Sequence, residues 1–316
     1  MAVGALLATH PSGAALSGVR AGVLLTGVQT AAPALAAAGA EVAAAGLYLW
    51  GVRRLAGRGR RWPVRRTLAF MAGLTTIWLA VGSGLAAYDE TSVTLHMVQH
   101  VLLMTAAPPL LALGRPLALA TQAARRPAQV RLNRLLRSGP VAALTHPLPA
   151  AVLYFGTMWV MLVDRPAYDY LIADQPAHRA SHVLLLAVGL LYWTPLVAPD
   201  TARHRLSHPA RVVLLLLSMP LEALPGVFMR FRSTPIDAIN SLADTRTAGE
   251  LFLVAATGAC SLWLVAVVVQ WFAFAVREER RQASGPDGAG GAWTVPWWIG
   301  PATPPVAASP SGPSEA

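Results

Sequence analysis

Seven long apolar runs, separated by stretches rich in Arg, Pro and Gly, make up nearly half of the chain. A helix needs about 20 apolar residues to cross the hydrocarbon core of a bilayer, and each run is close to that length. Charged residues and Pro/Gly clusters mark the ends of the runs. The runs cover residues 31–52, 67–88, 94–113, 147–163, 178–197, 211–231 and 251–274. They predict an all-α fold, a polytopic transmembrane helix bundle of about seven spans within residues 31–275.

The composition supports a membrane protein. Hydrophobic residues make up 55% of the chain and charged residues only 13%, with a mean hydropathy of +0.49. A water-soluble globular protein is more polar than this, so the lipid bilayer is the expected surrounding. The net charge of +10 would favour nucleic acid as a partner of a soluble protein. Here the basic residues, all of them Arg, lie mostly between apolar runs, and no nucleic-acid binding is predicted.

The Arg distribution predicts the orientation of the spans. With the N-terminus outside, 19 of the 25 Arg fall on the inner side, and the positive-inside rule then favours N-out and C-in. Residues 1–30 are predicted to be a poorly defined extracytoplasmic lead-in, and residues 276–316 a disordered cytoplasmic tail rich in Gly, Pro and Ser. The inner loop 115–146 reads equally well as a short basic helix on the membrane surface or as a solvated connector.

Two histidine pairs mark a candidate site. His96, His100 and Met104 follow one another at intervals of four residues in the third run, and His178 and His182 repeat the spacing at the start of the fifth. Residues four apart share one face of a helix, and both pairs enter the membrane from the predicted outer side. A histidine inside a span suggests a functional site, although interfacial hydrogen bonding is the simpler explanation for one pair alone.

The chemistry of these side chains favours a metal. Two His pairs on neighbouring helices offer three or four imidazole nitrogens to one ion or to two. Imidazole suits copper, zinc and iron, and the thioether of a Met favours Cu(I). We therefore predict a metal site with ligands at His96, His100, His178, His182 and Met104.

Other polar residues are weaker candidates. Carboxylates near the predicted outer ends of spans or within spans could serve a polar cavity or make structural hydrogen bonds; they are Glu41, Asp89, Glu90, Asp164 and Glu222. The remaining histidines, His10, His146, His204 and His208, lie away from the two pairs and are predicted to be solvated loop residues.

Several kinds of chemistry have no motif in the chain. The single cysteine, Cys260, has no partner for a disulfide or a Cys-based metal site. A phosphate-binding Gly-rich loop, a Gly-x-Ser-x-Gly turn and a His-Glu-x-x-His helix are all missing. We therefore predict that the protein is not an enzyme and has no catalytic or cofactor-binding residues.

The third run carries a resemblance to a known family. It reads His-Met-Val-Gln-His-Val-Leu-Leu-Met over residues 96–104 and continues through Pro108-Pro109 to Gly114-Arg115-Pro116. Together with Tyr48-Leu49-Trp50-Gly51, Trp62, Arg66, Phe70, and His178 to His182 followed by Gly189, Trp193, Pro195 and Pro199, it resembles the CtaG family of cytochrome c oxidase assembly proteins. The resemblance covers roughly residues 40–275. A single-span copper chaperone of the same name carries a cysteine pair, which this chain lacks.

The resemblance implies a multi-pass protein of the bacterial plasma membrane that takes part in the maturation of haem-copper oxidases. It also implies cytochrome c oxidase subunits as partners and copper as the metal. On this basis we expect copper to be held at the extracytoplasmic face and passed to the oxidase. Three alternatives stay open: a haem-binding or haem-handling membrane protein, a copper transporter, and a scaffold that binds oxidase subunits without metal.

Overall fold

The computed structural model describes residues 32–87, 92–199, 204–237 and 240–283. Within them the chain forms twelve α-helices, a π-helical turn over Leu102–Ala106 and a 3-10 turn over Gly84–Ala87, and no β-strand. The helices are α1 (Ala32–Ala56), α2 (Val64–Val81), α3 (Val93–Val101), α4 (Ala107–Gly114), α5 (Pro116–Ala123), α6 (Arg126–Leu136), α7 (Gly139–Leu144), α8 (Pro147–Val163), α9 (Arg165–Ala173), α10 (Gln175–Val197), α11 (His208–Arg230) and α12 (Leu242–Ala283).

The helices confirm the polytopic membrane bundle. Six segments of the described chain are helical, long and apolar enough to cross a membrane. A seventh is the bent pair α8 and α9, whose axes differ by 78° at Asp164. All seven predicted runs therefore correspond to helical segments. The predicted orientation rests on the Arg distribution alone.

Several helix boundaries differ from the predicted ones. α2 ends at Val81 instead of residue 88 and is followed by the 3-10 turn. The third run continues to Ala123 as α3, the π turn, α4 and α5, with Arg115 in a left-handed conformation between the last two. α12 begins at Leu242 instead of residue 251. It also continues to Ala283, so residues 276–283 of the predicted disordered tail are helical. Residues 1–30 and 284–316 lie outside the described part of the chain.

The basic loop contains the short helix that was one of its two predicted forms. α6 carries three of the loop's Arg and has no buried residue. Its polar and apolar residues separate onto two faces, the pattern of a surface helix. α5 and α7 flank it on either side.

Two adjacent prolines follow the π-helical turn and leave two of its carbonyls without a backbone donor. Two tryptophans donate to these carbonyls instead. Pro108 and Pro109 have no N–H to bond the carbonyls four residues earlier, those of Met104 and Thr105. The indole N–H of Trp193 in α10 donates to the Met104 carbonyl at 2.9 Å. The indole N–H of Trp263 in α12 donates to the Thr105 carbonyl at 3.1 Å. Both carbonyls are thus satisfied by side chains of other helices.

Glycines let α4 approach its neighbours closely. A Cβ atom on Gly189 of α10 would lie 2.6 Å from Cγ of Pro108. A Cβ on Gly73 of α2 would lie 2.8 Å from the Leu111 side chain, and one on Gly114 would lie 2.7 Å from Cβ of Phe70. Small residues at such contacts are typical of packed membrane helices. They hold α2, α4 and α10 together around the middle of the bundle.

An aromatic group on α1 and α2 secures the far end of α4. Tyr48 stacks on Phe70 with ring centroids 4.1 Å apart. Its hydroxyl donates to the Gly114 carbonyl at 2.8 Å and accepts from the Trp62 indole at 3.0 Å. Tyr48, Trp62 and Phe70, which carried part of the family resemblance, therefore have a structural role at the C-terminal end of α4.

The chain divides into two compact units, residues 1–269 and 270–316. The described part of the second is the C-terminal end of α12, where Arg281 and Glu278 form an exposed ion pair. All candidate site residues belong to the first unit.

Candidate metal site

Two helix starts bring the histidine pairs together. α3 begins at Val93 and carries His96 and His100 in its first turns, and α10 begins at Gln175 and carries His178 and His182. Asp174 caps α10 by accepting the Ala177 N–H at 2.8 Å. Both pairs thus lie at the same end of the bundle, as the sequence predicted.

The cap of α3 comes from a distant part of the chain. Ser92 precedes the helix but makes no side-chain cap bond. Instead the Asp244 carboxylate on α12 accepts from the Val93 N–H at 2.7 Å and from the Thr94 hydroxyl at 2.6 Å. A carboxylate at this position satisfies a free N–H and complements the positive end of the helix dipole. Asp244 therefore fixes the segment that carries His96.

The four imidazole rings form a closed group. Ring centroids are 4.4 Å apart for His96 and His100, and 4.7 Å apart for His178 and His182. Between the helices they are 5.0 Å apart for His96 and His178, and 6.3 Å apart for His100 and His182. Each ring therefore contacts one ring on its own helix and lies near one on the other.

The group is buried and short of hydrogen bonds. His96, His100 and His178 are 3%, 1% and 3% exposed, and His182 is partly exposed. Within the described part of the chain, Nδ1 of His96, both ring nitrogens of His100 and Nε2 of His182 have no hydrogen-bond partner. A buried polar atom without a partner costs on the order of 1–3 kcal/mol. Several such atoms lie together here, where a bound ion could satisfy their lone pairs.

The four rings, as placed, are not arranged to bind a metal ion. No group of three or more described His, Cys, Asp or Glu side chains could hold a metal ion as placed. His96 and His178 explain part of this, because their planes are only 25° apart and they stack face to face. Their in-plane nitrogen lone pairs do not point at each other in that geometry. Side-chain rotation would be needed before an ion is shared.

Met104 lies in a different setting from the one its spacing suggested. It is 2% exposed, belongs to the main hydrophobic core, and sits in the π-helical turn that begins just after His100. A π turn takes more residues than an α turn, so a spacing of four no longer keeps the same helix face. Its role as a ligand stays a prediction.

Of the other carboxylates, Asp164 and Glu222 have structural surroundings, Asp89 and Glu90 lie outside the described residues, and Glu41 is half-buried in α1. Asp164 caps α9 by accepting the Ala167 N–H at 3.1 Å. Glu222 is fully buried and accepts from the Tyr154 hydroxyl at 3.0 Å. Asp89 and Glu90 fall in residues 88–91, outside the described part of the chain.

Sequence reasoning missed three residues that shape the site: Asp244, Trp193 and Tyr168. The first two support α3 and the π turn from other helices. Tyr168 on α9 is 1% exposed, and its ring lies edge-on to His96 with centroids 5.4 Å apart. No local signal could reveal these contacts, because their partners are more than 70 residues away along the chain.

Fold and site together define an all-helical polytopic membrane protein with a buried cluster of four histidines at one end of the bundle. The chain belongs to the family described as cytochrome c oxidase caa3 assembly factor (Caa3_CtaG), which it matches over residues 46–273. The family named in the sequence resemblance is thereby confirmed, and with it membership among assembly factors.

Curated relatives occur in mycobacteria. Uncharacterized proteins of Mycobacterium tuberculosis and Mycobacterium bovis are each 29% identical over 258 residues, 76% of this chain and 38% of theirs. One of Mycobacterium leprae is 28% identical over 259 residues, 75% of this chain and 39% of its own. The chain thus spans about two fifths of the length of these relatives. No solved structure matches it.

Proposed function

We propose that this protein holds copper at the four-histidine cluster and delivers it to cytochrome c oxidase during assembly, at the extracytoplasmic face of the bacterial plasma membrane. The observation that carries the proposal is the group of buried ring nitrogens of His96, His100 and His182 that have no hydrogen-bond partner among the described residues. The family supplies the biological setting, oxidase assembly. Copper is the cargo in this proposal, so the site must release it as well as bind it.

The donor set fits copper. Imidazole nitrogen binds Cu(I) and Cu(II) well, and a metal ion would satisfy lone pairs that now lie buried without a partner. Among the described residues no carboxylate belongs to the group of four rings, so a bound ion would add positive charge to a neutral cluster. That limits how tightly the site holds its cargo.

The arrangement favours transient binding. Because the rings now stack rather than converge, part of the binding energy would go into turning them. Cu(I) accepts two or three ligands, so two rings suffice to start binding and the others can join or leave. His182 is the partly exposed member of the cluster, so the copper ion would enter and leave the site there.

Copper content is the direct test. Purified protein should bind Cu(I) in competition with a colorimetric chelator, and elemental analysis should find copper after gel filtration. His100→Ala and His182→Ala should each weaken binding at least tenfold. His208→Ala, at the other end of the bundle, is the matched control and should bind as the parent does.

Two results would contradict the proposal. One is unchanged copper binding in both cluster variants that fold normally. The other is a haem absorption band in the purified protein that disappears in the same variants, which would assign the cluster to haem. In cells, His100→Ala should lower oxidase activity under copper limitation at an unchanged level of this protein.

A further inference from the structure

A third histidine pair lies at the opposite end of the bundle beside a cavity. His146 precedes α8 and His204 precedes α11, and their ring centroids are 5.0 Å apart. They line a cavity of about 650 Å³ together with Arg205. His146 is exposed and His204 partly exposed, both outside the helices, as the sequence predicted, and the structure in addition places the two rings side by side. The predicted orientation puts this end on the cytoplasmic side.

The hydrogen bonds of the two rings indicate what they offer to the cavity. Nδ1 of His146 accepts from the Leu148 N–H at 3.3 Å, so the ring proton of the neutral imidazole is on Nε2. Nε2 of His204 lies 3.2 Å from the Ala142 carbonyl and must donate to it. His146 therefore has a ring donor left over and no free lone pair, so the two rings do not form a pair of metal ligands.

Among the described residues, the charges that line the cavity have one sign. Arg205 lines it, and none of the described lining residues is acidic or sulfur-bearing. The N-termini of α8 and α11 both begin at this place, with His146 and Ser207 as their caps, and their dipoles add positive potential. Donors and positive charge together favour an anion with oxygen acceptors.

The rest of the lining is apolar and continuous with the outer surface of the bundle. Leu148, Val213 and Leu217 line the cavity and are 67%, 54% and 60% exposed. They belong to α8 and α11, which are segments of membrane-spanning helices. An occupant would thus have an anionic part at His146 and Arg205 and an apolar part along α11.

We propose that this cavity binds an anionic phospholipid, with the phosphate of the headgroup at His146 and Arg205 and an acyl chain along Val213 and Leu217. A basic residue near the membrane surface contributes about 1 kcal/mol to attraction of anionic lipid, which corresponds to about a fivefold change in affinity. The inference is independent of copper at the other end.

Native mass spectrometry of the purified full-length protein tests this. Titration with phosphatidylglycerol should give more bound lipid than titration with phosphatidylcholine. Arg205→Gln should weaken phosphatidylglycerol binding about fivefold and leave phosphatidylcholine unchanged. Arg134→Gln on α6 removes the same charge from an exposed position away from the cavity and should have little effect.

A second variant separates the ring of His146 from the charge of Arg205. His146→Ser keeps a residue that can cap α8 but removes the ring donor, and it should also weaken phosphatidylglycerol binding. Equal losses in Arg205→Gln and Arg134→Gln would reduce the effect to general surface charge and overturn the site. So would the absence of any headgroup preference, or displacement of the lipid by inorganic phosphate at equal concentration.

Discussion

The carboxylate of Asp244 accepts the backbone N–H of Val93 at 2.7 Å, joining two residues 151 positions apart. The bond links the first turn of α12 to the first turn of α3, which carries His96. The candidate metal site is therefore supported by a helix that contributes none of its four histidines. This relationship leads to the first prediction.

Asp244→Ala should destabilise the protein by about 1–2 kcal/mol, because it removes the N-terminal cap of α3. Asp244→Asn keeps an acceptor oxygen and should lose less. Thermal unfolding in detergent measures both. Copper affinity should fall with Asp244→Ala as the position of His96 becomes less fixed.

Asp169→Ala is the matched control. Asp169 forms an exposed ion pair with Arg165, 3.6 Å apart, and exposed pairs contribute little. If Asp169→Ala and Asp244→Ala lowered the unfolding temperature equally, the cap would have no special importance.

Gly189→Ala should separate the two histidine-bearing segments. The new Cβ would lie 2.6 Å from Cγ of Pro108 and 3.0 Å from the Met104 carbonyl oxygen, and backbone atoms cannot move aside. Overpacking of this kind costs about 1–3 kcal/mol. The unfolding temperature should drop, and copper binding should weaken because α10 moves relative to α3.

Gly156→Ala provides the comparison for that change. Nothing lies within 4 Å of a Cβ built on Gly156 in α8. The substitution should be neutral or slightly stabilising, since Ala favours helix more than Gly does. A Gly189→Ala protein as stable as the Gly156→Ala protein would mean that the close contact is not limiting.

The sequence could predict the histidine cluster because both pairs obey helix periodicity at the start of an apolar run. It could not predict the true start of α12. Asp244, Thr245, Thr247 and Glu250 look like loop residues to a hydropathy scan, yet within the bundle each finds a polar partner. Glu250, for example, pairs with Arg230 of α11. Polar residues satisfied inside the protein extend a membrane helix beyond its apolar part.

The position of Met104 could not be predicted from its spacing along the chain. Its spacing from His100 assumed an uninterrupted α-helix, while Pro108 and Pro109 impose a π turn from Leu102 to Ala106. The prolines were visible in the sequence. Which residues would satisfy the freed carbonyls was not, because Trp193 and Trp263 come from separate helices.

Trp193→Phe should leave the Met104 carbonyl without a donor. Hydrogen bonds between membrane helices contribute roughly 0.6 kcal/mol on average and up to about 1.7 kcal/mol, and the upper part of that range applies where the freed carbonyl is buried. Trp159→Phe removes an indole that makes no hydrogen bond within the described residues. Thermal unfolding should therefore separate the two variants, and identical unfolding temperatures would count against the role given to the indole.

The buried Glu222 gives the last prediction, a double-mutant cycle with Tyr154. The Tyr154 hydroxyl donates to Glu222 at 3.0 Å and lies 3.3 Å from the Thr105 hydroxyl. Tyr154→Phe removes the only hydrogen bond found for the carboxyl group within the described residues. Removing one partner of a buried pair costs about 1–3 kcal/mol, whereas replacing both by apolar groups is nearly neutral.

Tyr154→Phe combined with Glu222→Leu should therefore be more stable than the sum of the single changes predicts, with a coupling of about 1 kcal/mol or more in thermal unfolding. Strict additivity would mean that the two side chains do not act as a pair. Oxidase activity in cells carrying the double variant then distinguishes structure from function. A stable double variant that still supports oxidase assembly assigns Glu222 to the packing of α8 against α11, and one that is stable but inactive assigns the carboxyl group to the assembly function itself.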